Sequence, residues 1–61
     1  MSTIKQILMR RDGMSSASAD SLIQDAQAQL HEYLAFGDQE SAYDICEEYF
    51  GLEPDYLMEL L

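Results

Sequence analysis

The sequence predicts an all-α fold: a small orthogonal domain of three to four helices over residues 1–61, with one long helix at about 15–36 packed by short ones. Three observations carry this. Apolar residues recur at steps of three and four, and no segment alternates with period two. Gly13, Gly37 and Gly51 fall where those apolar stripes stop, as helix terminators do. Ser15, Asp38 and Pro54 stand shortly after them, where a helix start wants a side-chain acceptor or a missing N–H.

The first helix is expected over residues 3–12. Thr3 and Gln6 have the spacing of a capping box, and Ile4, Ile7, Leu8 and Arg11 share one stripe. Gly13 ends it, and Met14 is placed to fold back on Leu8 or Met9. Ser15 then caps the long helix. Its stripe is Ala19, Leu22, Ile23, Ala26, Leu30, Tyr33 and Leu34, closing at Gly37. Asp38 caps a third helix with Ala42, Ile45, Cys46 and Tyr49 inward. Tyr43 and Phe50 lie on its flank, and Asp44, Glu47 and Glu48 point away. Pro54 opens a fourth helix whose apolar side is Tyr56, Leu57, Leu60 and Leu61.

The formal net charge of −9 is unevenly laid out. The only lysine and arginines are Lys5, Arg10 and Arg11. Eight of the twelve acidic residues lie in the last 24 positions: Asp38, Glu40, Asp44, Glu47, Glu48, Glu53, Asp55 and Glu59. A hydrophobic content of 48% with clear periodicity separates this chain from acidic disordered segments.

This layout bears on the stretch "ICEEYFGLEPDYL", which reads as helix, glycine corner, helix. The corner resembles a helix-turn-helix in pattern, yet Glu47 sits where a small packing residue is wanted. The would-be recognition helix offers Asp55 and Glu59, and no side chain suited to a base edge. DNA affinity comes largely from lysine and arginine on phosphates, so direct DNA binding is disfavoured.

Other chemistries find little footing. His31 and Cys46 are single, and no zinc-type pair or calcium-loop spacing occurs. Cys46 falls on an apolar stripe, where a thiol stays protonated and packs; His31 is expected at the surface. No nucleophile, base and orienting group converge, and isolated glycines cradle no phosphate. We therefore expect no enzyme activity, no cofactor and no metal site. No apolar stretch has the length of a signal peptide or a membrane span, and with one cysteine the expected location is a reducing cytoplasm.

The runs "ILMRRDGMS", "ADSLIQDA" and "YDICEEYFGLEPDYLMELL" resemble short acidic proteins carried by phages, prophages and related mobile elements, over almost the whole chain. That set often begins its second helix with more glutamate; here "SSASAD" is serine-rich. The resemblance implies a host–phage setting and no particular activity.

The leading functional expectation is a non-enzymatic, acidic protein-interaction module, self-associated or binding a basic host protein as a nucleic-acid mimic; set against it, and commoner for any acidic helix, is a solvated face that only keeps a small protein soluble. The module's outward charges would be Asp44, Glu47, Glu48, Asp55 and Glu59. Phe36, Tyr43, Phe50 and Tyr56 either form a candidate apolar interface for a homodimer or a protein partner, or are covered by the fourth helix folding over them. The alternatives are a divergent helix-turn-helix protein touching nucleic acid through Lys5, Arg10 and Arg11, and a structural homodimer with no other partner.

Overall fold

The computed structural model describes residues 3–61, of which every regular element is helical. Helix α1 runs Thr3–Arg11, α2 Ser16–Ala35, α3 Gln39–Tyr43 and α4 Ile45–Phe50, and a 3₁₀ helix spans Pro54–Glu59. No residue among those described is in a strand. At about 1.5 Å per residue, α2 is roughly 30 Å long. The molecule measures 33 × 19 × 18 Å, so α2 nearly matches its longest dimension. The other helices gather against it and against one another: α1, α3 and α4 touch α2, while the 3₁₀ helix touches α4 and α1.

Local chemistry sets the boundaries. The Ser15 hydroxyl accepts the Ser18 N–H and starts α2; the Asp38 carboxylate accepts the Ser41 N–H at 3.2 Å and starts α3. Gly51, at φ 65°, takes the left-handed conformation that lets the Leu52 N–H reach back to the Cys46 carbonyl, closing α4. The same six-residue closure ends α1, where the Met14 N–H donates to Leu8 O at 3.3 Å. Met14 then packs against the core, of which Leu8 is part.

Among the described residues, ten form the core: Ile4, Leu8, Ala19, Ala26, Leu30, Ala42, Ile45, Cys46, Phe50 and Leu60. The alanines lie on α2 and α3, where small side chains let neighbouring helices approach. Around this centre, Leu22, Ile23, Tyr33, Tyr49, Leu52, Tyr56 and Leu57 are half-buried.

Four expectations need correction. The helix expected from 39 to 50 is divided at Asp44, whose φ of −88° and ψ of 1° leave the α region for one residue. Backbone bonding still crosses the division, because Glu48 N–H donates to Asp44 O at 3.0 Å. The fourth helix is 3₁₀, not α. With about three residues per turn, positions three apart stack on one edge. Leu57 and Leu60 accordingly turn inward, Tyr56 and Glu59 face α1, and Asp55, Met58 and Leu61 take the outer edge. Leu34 is expected inside but is 45% exposed, while Tyr33 beside it packs against the core. Phe50 was expected in a surface patch, but it is 2% exposed and central to the core. The left-handed corner at Gly51 brings Leu52 and the 3₁₀ helix back over it.

Candidate functional site

The outer face of α3 and α4 follows from what the inner face must do. Ala42, Ile45, Cys46 and Phe50 are buried at steps of three, one and four, the spacing of one helical side. The opposite side must therefore carry Glu40, Tyr43, Asp44, Glu47 and Glu48, all of which are exposed. Two shallow hollows lie along this face. One is lined by Gln39, Glu40, Tyr43 and Asp44, the other by Asp44, Glu47 and Glu48, and they meet at Asp44.

Lys5 and Arg11 are engaged elsewhere. Lys5 Nζ pairs with Asp20 at 3.1 Å, across α1 and α2. Arg11 grips Asp12 with two hydrogen bonds, Nε to Oδ1 at 2.9 Å and Nη2 to Oδ2 at 2.8 Å. Its guanidinium also donates to the Phe50 carbonyl at the C-terminus of α4, where a positive group is favoured. The Asp12 hydrogen bond raises the Arg11 pKa, and the guanidinium in turn lowers that of Asp12. Neither described salt bridge involves Asp44, Glu47 or Glu48. The negative field does reach Tyr33. Burial first, then the nearby Glu48 carboxylate, pushes its phenol above the ordinary tyrosine value.

The remaining predicted site residues scatter. Asp55 is exposed on the 3₁₀ helix, away from the run along α3 and α4 in sequence. Glu59 is not a free outward charge: its Oε1 accepts the Ile4 N–H at 3.2 Å, in the first turn of α1. That turn carries no acidic residue of its own, so Glu59 supplies the negative group that a helix N-terminus favours. Of the proposed aromatic interface, Phe36 and Tyr43 are exposed, at 85% and 59%. Tyr56 is half-buried and lines a groove with Thr3, Gln6, Ile7, Arg10 and Arg11 of α1. With Phe50 in the core, the four do not make one surface patch.

The sequence reading missed Gln39 and Glu40 as neighbours of Tyr43, although the four-residue step from Glu40 to Asp44 was available as a signal. It also missed the roles of Arg11 and Glu59. Their partners are 39 and 55 residues away, a separation that periodicity does not register.

The Cys46 thiol is buried; desolvation, then the charge of Glu59, raises its pKa. His31 is exposed on α2. Among the described residues no three of His, Cys, Asp and Glu are grouped to hold a metal ion, and no helix is long and apolar enough to cross a membrane. No protein-family model matches the chain, and no curated protein or solved structure does.

Proposed function

We propose that the protein is a non-enzymatic interaction module that docks a basic protein through the acidic face of α3 and α4, presenting spaced carboxylates much as a nucleic acid presents phosphates. One observation carries the reading: Asp44, Glu47 and Glu48 stand together on one exposed helical side, outside both described salt bridges. A field of this sign steers cationic partners and weakens with salt. Asp55 is exposed on a separate element, the 3₁₀ helix, and Glu59 serves the fold. The host–phage setting and the cytoplasmic location belong to this proposal; a lone cysteine kept as a buried thiol accords with a reducing compartment.

Nucleic-acid contact through Lys5, Arg10 and Arg11 has less support, because two of these three cations already hold intramolecular carboxylates. The corner after Gly51 leads into a 3₁₀ helix of six residues, about 12 Å long at 2 Å per residue. It carries acids and no base-reading side chain. A homodimer reading rests on Phe36, Tyr43 and Met58, which are exposed but distributed over separate elements.

The test is an amide-shift titration with a short lysine- and arginine-containing peptide, with duplex DNA in a parallel arm. The expected result is peptide-induced shifts concentrated on residues 40–48, lost in Asp44→Asn/Glu47→Gln/Glu48→Gln and weakened at about 0.5 M salt, where the screening length is only a few ångströms. Shifts spread evenly over every acidic side chain, or tight binding of the duplex, would reject the proposal.

A further inference from the structure

Resting on that reading, we infer that the α3–α4 face selects arginine over lysine, and that Tyr43 is the residue that makes the selection. The occupant is a guanidinium side chain from a basic partner protein, lying on the Tyr43 ring. The outer face of α3 is unpartnered and does not consist of carboxylates alone. Tyr43 sits in its middle with 59% of its surface exposed, although a tyrosine beside a small core would gain by turning inward. It lines a hollow with Gln39, Glu40 and Asp44. An aromatic wall thus stands beside two carboxylates and a side-chain amide.

These groups match a guanidinium better than an ammonium. The guanidinium is planar, is weakly hydrated for a cation, and stacks on an aromatic face while its edge N–H groups still donate. Here the face would meet the Tyr43 ring, and the edge would meet the Glu40 or Asp44 carboxylate and the Gln39 amide oxygen. Lysine offers a compact, strongly hydrated charge that satisfies a carboxylate but gains less from the ring. The net charge of −9 attracts either cation, so long-range steering does not distinguish them. Any preference must arise at the ring.

The experiment compares two peptides of equal length and charge, one bearing arginine and the other lysine at every basic position. Each is titrated against the wild type, Tyr43→Phe and Tyr43→Leu, with thermal melts confirming that the variants fold. An exposed cation–ring contact is worth roughly two- to fivefold in affinity, which is the most that the preference can reach because lysine keeps part of it. The wild type and Tyr43→Phe should show that preference for arginine, and Tyr43→Leu should lose it while still binding both peptides. Equal affinity for the two peptides in the wild type, or a preference that survives in Tyr43→Leu, overturns the selection and leaves the acidic docking face standing. Failure of both peptides to bind overturns the docking face, and the selection with it.

Discussion

Replacing Phe50 with leucine separates its two possible roles, anchor of the core or member of a contact surface. Phe50 is 2% exposed and lies at the end of α4, in the core cluster against which Leu52 packs and beside Tyr49, whose ring centroid is 6.2 Å away. Full removal of a buried phenylalanine side chain costs about 3–5 kcal/mol. A domain of this length has roughly 3–9 kcal/mol in total, at about 0.05–0.15 kcal/mol per residue. Phe50→Ala would therefore remove about a third or more of the total stability. Phe50→Leu keeps most of the volume and should cost about 1–2 kcal/mol, since the smaller side chain leaves part of the ring's space empty. That corresponds to a melting temperature lowered by about 4–16 °C, from a slope of about 4–8 °C per kcal/mol. Phe36→Ser is the control: at 85% exposure it should change stability by no more than about 0.5 kcal/mol. Circular dichroism melts and urea titrations at two protein concentrations read both. If Phe50→Leu melts with the wild type while a concentration-dependent assembly disappears, the core placement is wrong.

Further expectations concern helix ends and titrating groups. Ser15→Ala removes the acceptor for the Ser18 N–H and should cost about 1 kcal/mol, visible in urea and as faster exchange of the first amides of α2. Glu59→Ala, which removes the acceptor, should speed amide exchange at Ile4 while leaving the last turn of α2 unchanged; equal exchange in both proteins would deny the cap between the two helices. Asp12 and Asp38 are held below the ordinary carboxylate range, by the Arg11 guanidinium and by the Ser41 hydrogen bonds respectively. Their contribution is present above the unfolded carboxylate pKa of about 4 and is lost as pH falls through their lower folded values, so stability should drop on the acid side. Cys46 and Tyr33 are shifted upward. The unfolded chain then releases their protons first, and stability should fall as pH rises past the unfolded thiol value of about 8.5. At neutral pH a thiol reagent should modify Cys46 at the rate of unfolding; fast modification of the native protein would contradict its burial.

Local chemistry made much of the architecture legible in advance. Ser15 and Asp38 act by accepting a backbone N–H three residues ahead, and Gly13, Gly37 and Gly51 through a backbone conformation that a Cβ disfavours. The spacing of Ala19, Ala26 and Leu30 marks one side of a long rod whatever else surrounds it. Asp44, Glu47 and Glu48 were likewise readable as outward, because Ile45, Cys46 and Phe50 occupy the other side. The division at Asp44 had no such signal: no proline or glycine marks it, and the backbone departs by a single residue.

What the amino-acid order alone determined was therefore the helical class, the starts and stops, and the side of each helix that carries charge, since these depend on residues a few positions apart. Tertiary structure decided which aromatic rings are sheltered, and which charged groups serve the fold. Phe50 became core only because the chain after Gly51 folds back, and Tyr43 stayed outside because nothing among the described residues covers α3 there. Arg11 and Glu59 read as surface charges until the first helix is brought against the end of α4 and against the 3₁₀ helix. Their oxygen and N–H partners are backbone groups, which every residue possesses and which no side-chain pattern can announce.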